Sequence, residues 1–255
     1  MKLSGNTILI TGGSSGIGFE MARQFLLKGN EVVITGRDEK KLQDAKQQLG
    51  GVRIIRNDVS NPDDVEKLHQ QAVKDYPDLN ILINNAGIMQ TLNLRNGNLS
   101  ATYLTQEIDI NLKGTMLMNN AFLPLLWHNN NPAIVNVTSG LAFVPLPIAP
   151  VYCSTKAAIH SYTLSLRAQL RNTAIKVFEL APPLTETGML GGFDEEDIKG
   201  VPIMPVENMV AAFLKGFAKD NYEIRIGVAN QLWFMSRFFP RFIFAQLSKS
   251  INRLL

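Results

Sequence analysis

The sequence predicts an α/β protein: a doubly wound, seven-stranded parallel sheet with helices on both faces, in one domain over residues 1–255. Three observations carry that prediction. Apolar runs of strand length alternate with segments of helical periodicity along the chain, the pattern of βα units on a parallel sheet. The chain has 255 residues and is 45% hydrophobic, enough to bury one sizeable core. No Pro/Gly/Ser-rich linker and no internal repeat divides it.

Thr7-Ile8-Leu9-Ile10 is an apolar run that places the first strand at 7–11. The glycine-rich turn Thr11-Gly12-Gly13-Ser14-Ser15-Gly16-Ile17-Gly18 follows at once, and the pattern from Phe19 to Lys28 extends a helix over 16–28. Further strands are expected at 31–35, 52–57, 79–84, 132–138, 174–181 and 222–226, with helices over 39–49, 62–75, 102–127, 151–171 and 206–219. Residues 188–205 hold Gly188, Gly191, Gly192 and Gly200 around the acidic cluster Asp194-Glu195-Glu196-Asp197, and read as a flexible substrate lid. The tail over 229–255 carries Trp233, Phe234, Phe238, Phe239, Phe242 and Phe244 with Arg237, Arg241, Lys249 and Arg253, and no acidic residue. Pro240, which lacks an N–H, is expected to divide it into two short helices.

The order strand, glycine turn, helix has a chemical meaning. Glycines at 12, 16 and 18 permit a tight turn, close approach of backbone to a pyrophosphate, and close packing of helix on strand. The helix N-terminus then offers N–H groups and the positive end of its dipole to phosphate. That makes the fold Rossmann-type, with a dinucleotide as its ligand. Downstream, Tyr152 and Lys156 stand four apart on a predicted helix and share a face. A tyrosine ordinarily keeps its proton to about pH 10. A cation beside it favours the phenolate and makes it usable as an acid or base near neutrality.

Thr-Gly-x-x-x-Gly-x-Gly differs in spacing from the ordinary dinucleotide fingerprint. With Asn84-Asn85-Ala86-Gly87, Asn111, Ser139, Tyr152 and Lys156 in this order, the chain resembles the short-chain dehydrogenase/reductase superfamily in its compact branch of about 250 residues. The motifs span 7 to about 187. The resemblance implies that Ser139 hydrogen-bonds the substrate oxygen and that Tyr152 exchanges a proton with it. It also implies that Lys156 binds the nicotinamide ribose and lowers the tyrosine pKa, while Asn111 holds a helix kink and a proton-relaying water. It assigns cofactor binding to the loop residues Gly12, Ser14, Ser15, Gly16, Ile17 and Gly18, and to the Asn85-Ala86-Gly87 backbone. Asp58 and Val59 would meet the adenine; the alternative for Asp58 is to cap the helix near Pro62. Asn84 is expected to brace the sheet. Pro182, Thr185 and Thr187 would meet the nicotinamide end, although Pro182-Pro183 stands where relatives carry Pro-Gly, a stiffer turn. That turn and Tyr222-Glu223-Ile224-Arg225-Ile226-Gly227 look like the DltE-like branch of the superfamily, a resemblance that transfers no substrate.

Gly36 stands where an acid would bind the ribose 2′-hydroxyl of NAD, and Arg37 follows, its planar fork suited to a 2′-phosphate. NADP is therefore favoured, with NAD possible. Alternatively Arg37 is a solvated residue opening a polar run, with Asp38 as its partner or as a ribose contact. The loop 140–151 carries no charge. Leu141 and Phe143 to Leu146 either line a pocket for an apolar or uncharged carbonyl compound or alcohol, or pack the loop onto the body.

Composition excludes several other classes. A net charge of +3 is too small and dispersed for nucleic acid. The lone Cys153 precludes an internal disulfide and reads as a packed thiol rather than a redox sensor. His69, His128 and His160 have no partner at ligand spacing, so no metal is expected. The first strand leaves no room for a signal peptide and no stretch reaches spanning length, so a cytoplasmic protein is expected. The family resemblance implies a homodimer or homotetramer. The tail would bury its aromatics against the body or a second subunit, close the pocket, or rest on an anionic membrane surface. The rival to a hydride-transferring oxidoreductase is a catalytically silent dinucleotide-binding sensor or scaffold, which would have no need of the Asn111, Ser139, Tyr152 and Lys156 set.

Overall fold

The computed structural model describes residues 1–192 and 200–254. The acidic cluster expected in the lid, Asp194 to Asp197, lies outside the described residues.

Seven strands form one parallel sheet: β1 (Thr7–Thr11), β2 (Glu31–Gly36), β3 (Arg53–Arg56), β4 (Leu79–Asn84), β5 (Ala133–Val137), β6 (Lys176–Ala181) and β7 (Glu223–Arg225). Their order is β3-β2-β1-β4-β5-β6-β7. The chain winds outward in one direction from β1 and in the other from β4, so a crevice opens at the carboxyl ends of these two strands. β3, β5, β6 and β7 are shorter than expected by a residue or two at an end, because apolar patterning does not register where a ladder stops.

Helices α1 (Gly16–Leu26), α2 (Glu39–Leu49), α3 (Pro62–Asp75), α4 (Ala101–Glu107), α5 (Gly114–Trp127), α6 (Pro150–Gln169) and α7 (Val206–Ala218) connect the strands, and α8 (Val228–Phe238) and α9 (Pro240–Leu247) follow β7. Alternate strand residues point to opposite faces. Ile8, Ile10, Val32, Ile34, Ile81 and Ile83 meet Met21 and Phe25 of α1, Leu42 of α2, and Phe213 and Phe217 of α7. Leu9, Val33, Leu82 and Ile134 meet Val65 and Leu68 of α3, Met118 and Phe122 of α5, and Leu166 of α6. Both faces of the sheet are thus covered, which is why its strands read as continuous apolar runs.

Local chemistry sets the helix starts. Asp38 caps α2 by accepting the Lys41 N–H at 3.1 Å. Asn61 caps α3 by accepting from Asp63 and Asp64, with Pro62 in the first turn. The capping alternative for Asp58 is therefore overturned: the residue next to the proline takes that role. The single helix expected over 102–127 is two α-helices joined by a π-helical turn at Ile108–Lys113. Buried Asn84 donates to Asn119 at 2.7 Å and Asn136 at 2.9 Å, and Asn136 donates to Thr163 at 3.0 Å. This polar seam ties β4 and β5 to α5 and α6.

Candidate active site

The glycine turn lies against the end of β4. Gly12 adopts a φ of +64°, and a Cβ there would sit 2.8 Å from the Ala86 Cα. At Gly18 a Cβ would fall 2.4 Å from the Gly12 carbonyl oxygen and 2.5 Å from the Asn85 amide nitrogen. Side chains at these positions would therefore close the cradle. Asn85 braces it, donating to the Thr11 and Gly12 carbonyls at 3.0 and 3.1 Å, while the Thr11 hydroxyl accepts from the Asn85 and Ala86 N–H groups. Ser14 lies beside Gly36, and Ser15 stands at the N-cap of α1 without a side-chain capping bond. Ile17 packs against the core as part of α1. Thr187 reaches back to the loop, its methyl 3.2 Å from a Cβ placed on Gly16. A loop of this shape at a helix N-terminus fits a pyrophosphate.

Arg37 is exposed at the end of β2, and its carbonyl accepts from Arg56 at 3.2 Å. Asp38 caps α2 with one carboxylate oxygen, and among the described residues it forms no ion pair with Arg37, the alternative partnership the sequence offered. At the end of β3, Asp58 accepts from the Ser60 N–H and hydroxyl at 2.9 and 2.7 Å. Val59 is buried, and Gly114 packs so closely that a Cβ there would lie 2.8 Å from the valine. Arg37, Asp58 and Val59 thus lie at the same edge of the sheet as the glycine turn.

Ser139, Tyr152, Lys156 and Asn111 come together on the far side of the crevice. Ser139 follows β5 and caps a 3-10 turn at Gly140–Ala142, accepting from the Leu141 N–H at 3.1 Å. Its hydroxyl stands near enough to Tyr152 to favour the phenolate. Tyr152 and Lys156 project from the first turns of α6, the lysine nitrogen 5.7 Å from the tyrosine ring centre and donating to the Val137 carbonyl at 2.9 Å. Asn111 sits in the π turn, exchanging hydrogen bonds with the Ile88 backbone at 2.9 Å and donating to Thr155 at 3.2 Å. A Cβ on Gly87 would stand 3.2 Å from the Asn111 oxygen and 3.6 Å from the Lys156 nitrogen, so the motif after β4 touches both residues.

The electrostatics differ from the expectation of a lowered tyrosine. Burial pushes Tyr152 up to about 12 and pushes Lys156 down to about 8. Desolvation raises Tyr152 and outweighs the neighbouring Ser139 hydroxyl, which favours the phenolate. Tyr152 here is a proton holder and Lys156 a cation within reach of neutral pH.

Pro182 accepts from the Gly140 N–H at 3.0 Å and so ties the 3-10 turn to the end of β6. Thr185, just before the expected lid, forms a bridge with Met204 near the end of it. Within the loop after Ser139, Val144 and Ile148 are buried as packing residues, whereas Leu141 and Leu146 rest beside Tyr152 and Cys153. Cys153 is buried, accepts from the Leu146 N–H at 3.2 Å, and is pushed up to about 11 by burial, a packed thiol. The Pro240 break is where the sequence expected it. The start of α8 packs on the active-site turn, since a Cβ on Gly140 would lie 3.1 Å from Ala229. Beyond it the aromatics face outward: Phe238 is 63% exposed and Phe242 56%. Burial against the body is therefore overturned for these side chains, which the two short helices carry away from the core.

Three buried acids escaped the sequence reading: Glu20, which pairs with Arg23 on α1, Glu107 and Glu179. Glu179, inside β6, accepts from Thr138 at 2.7 Å and pairs with His160 at 2.8 Å. Glu107, at the end of α4, accepts from the Gln90 N–H at 2.9 Å. Glu107 carried a usable signal, because it stands one helical turn before Asn111 on the same face. Among the described residues no group of three or more His, Cys, Asp or Glu could hold a metal ion, and no helix is long and apolar enough to cross a membrane.

Residues 6–197 match the family model described as short chain dehydrogenase. The chain is 43% identical over 226 residues to the uncharacterized oxidoreductase DltE of Bacillus subtilis, covering 88% of this chain and 89% of that one. It is 32% identical over 201 residues to an uncharacterized oxidoreductase of Staphylococcus saprophyticus, covering 76% and 84%. A short chain dehydrogenase of Burkholderia cenocepacia, solved in complex with NADP, superposes with a TM-score of 0.84 at 26% identity over 97% of this chain and 99% of that one. A Burkholderia phymatum enzyme in complex with NAD shares the fold, with a TM-score of 0.84 at 22% identity over 96% of each chain.

Proposed function

The chain belongs to the short-chain dehydrogenase family, an NAD(P)-dependent oxidoreductase, and we propose that it is an NADP-dependent reductase of an apolar or uncharged carbonyl compound, or dehydrogenase of the corresponding alcohol. The observation that carries this reading is the buried cluster in which the Ser139 hydroxyl, the Tyr152 phenol and the Lys156 ammonium meet beside the glycine cradle.

In this reading Ser139 hydrogen-bonds the substrate oxygen and Tyr152 delivers the proton that the reduced oxygen needs. Tyr152 enters protonated at neutral pH because burial holds its pKa at about 12. Lys156, anchored to Val137, holds a positive charge next to the phenol and stabilises the phenolate that forms when the proton leaves. Asn111 fixes the π turn and the segment after β4, so that Gly87 and Lys156 keep their spacing. The nicotinamide dinucleotide, when bound, supplies or accepts the hydride. The chain's own part is position, a proton and a field. Gly12, Ser14, Ser15, Gly16, Ile17 and Gly18 would hold the pyrophosphate, Asp58, Val59 and Asn85 to Gly87 the adenosine, and Pro182, Thr185 and Thr187 the nicotinamide end.

The NADP preference rests on Gly36 and on an exposed Arg37 freed of Asp38. The apolar substrate rests on Leu141 and Leu146, the uncharged side chains that flank Tyr152. The exposed tail phenylalanines support a homodimer or homotetramer. NADPH absorbance decay with a panel of ketones, aldehydes, quinones and long-chain carbonyls tests the reading, with Tyr152→Phe alongside. Turnover is expected in the native protein and lost in the variant, with cofactor affinity within a few-fold. Undiminished turnover in Tyr152→Phe would end this mechanism.

A further inference from the structure

Glu107 is 1% exposed. One of its carboxylate oxygens accepts the Gln90 N–H, and the other is buried with no hydrogen-bond partner. An acceptor left in that state costs on the order of 1–3 kcal/mol, so the carboxylate needs another source of stabilisation. Its surroundings supply one. Glu107 and Asn111, four residues apart, hold alternate residues of one segment: Asn111 binds the backbone of Ile88 and Glu107 that of Gln90. Met89, between them, packs on the cluster of Ala149, Tyr152 and Cys153. Asn111 in turn donates to Thr155, the neighbour of Lys156. α4 and the π turn both pack on α6, the helix that bears Tyr152, Cys153 and Lys156, and the charge of an ionised Glu107 acts on all three.

We propose that Glu107 is the counter-charge of the catalytic pair, a positioning residue whose buried carboxylate holds Lys156 as the ammonium and Tyr152 as the phenol. An opposite charge favours the ammonium that reduction uses, whereas a like charge keeps Tyr152 protonated before transfer and opposes the phenolate that Lys156 then stabilises. Burial pushes the Glu107 carboxyl above the ordinary carboxylate range, and the Gln90 N–H and then Lys156 pull it back toward the ionised form.

The remaining titratable groups around Lys156 are accounted for. Tyr152, Cys153 and His160 share its helix, and His160 is paired with Glu179 of β6, which also accepts from Thr138. β5 presents the uncharged Val137 carbonyl to the ammonium. From the segment after β4 and the π turn come Gly87 and Asn111, both uncharged. Asp109, on the same helical stretch as Glu107, is half-exposed and paired with Lys113 at 2.6 Å.

The proposal rests on the reductase reading for its purpose but is tested without substrate. Protein labelled with 13C at the lysine Cε is titrated by NMR, and the Lys156 signal is identified by its absence in Lys156→Met. Burial sets its midpoint at about 8, away from ordinary lysines near about 10.4. Glu107→Gln keeps an acceptor for Gln90 and removes the charge, and Glu107→Met removes both; each is expected to lower the midpoint by about half a unit or more. Glu107→Asp is expected to restore it, and Asp109→Asn to leave it unchanged. The falling high-pH limb of NADPH-dependent reduction should move the same way. A midpoint in the charge-free variants equal to or above that of the native protein overturns the proposal, even if turnover falls at every pH. Absence of turnover in the native protein, with the midpoint nonetheless lowered by Glu107→Gln, would refute the reductase reading and leave the coupling standing.

Discussion

At the scale of single residues, the site consists of groups whose surroundings exceed what their identity conveys. Tyr152 and Lys156 were legible from a four-residue spacing and Ser139 from the strand before it. Glu107 was passed over, because a lone acid on a predicted helix ordinarily faces water; its place one helical turn before Asn111 was the signal that it does not. Gly18 is a test of the cradle: Gly18→Ala places a methyl 2.4 Å from the Gly12 oxygen. Such crowding against backbone is expected to cost about 1–3 kcal/mol of stability and to abolish dinucleotide binding, read by thermal melting and by cofactor fluorescence. Arg37 tests the cofactor preference. It is exposed, and Asp38 is held by the Lys41 N–H. Arg37→Glu should therefore replace attraction for a 2′-phosphate with repulsion, shifting the ratio of NADPH to NADH affinity by about tenfold or more. An unchanged ratio would refute the NADP assignment.

At the scale of elements, strand and helix types were legible along most of the chain because each alternates or repeats against a two-sided core. The π turn was not. Ile108–Lys113 keeps a helical path while widening it, and the extra residue leaves the apolar spacing nearly unchanged. Asn111 occupies that turn because its amide serves both the N–H and the C=O of Ile88. Asn111→Ala leaves both unpaired and is expected to cost about 1–3 kcal/mol, read as a lowered Tm, along with reduced turnover. The tail shows the opposite limit. Its amphipathic composition and its break at Pro240 were readable, whereas the outward direction of Phe238 and Phe242 depends on how α8 leaves Gly140. If these rings cover a second subunit, Phe238→Ser with Phe242→Ser should yield a smaller species in sedimentation while leaving the melting of the isolated subunit unchanged. Co-sedimentation of the native protein with anionic liposomes at low salt would instead assign that face to a membrane surface.

At the scale of the whole molecule, burying the catalytic pair ties stability to pH. Lys156 has a folded pKa of about 8, below its ordinary value of 10.5. Below pH 8 the buried charge therefore weighs against the fold, and that penalty is relieved as pH rises through the window from 8 to 10.5. The shift corresponds to on the order of 3 kcal/mol. Tyr152 has the opposite sign: its folded pKa of about 12 lies above the ordinary 10, so the stabilisation it contributes is present below pH 10 and lost between 10 and 12. Relative to Lys156→Met, the native protein should gain stability from pH 7 to 9.5 in chemical denaturation; a constant difference would contradict a buried, titrating lysine. The sequence by itself determined the α/β class, the strand–turn–helix entry and the family of the Tyr152–Lys156 site, because these depend on spacings short enough for one strand, one turn or one helix face to enforce. The tertiary structure alone decided that Asn61 rather than Asp58 caps α3, that Tyr152 is raised, and that α4, which carries the buried Glu107, packs on the helix of Tyr152 and Lys156. Each depends on which residues distant in the chain exclude water from the same point, and desolvation is a property of the packed whole.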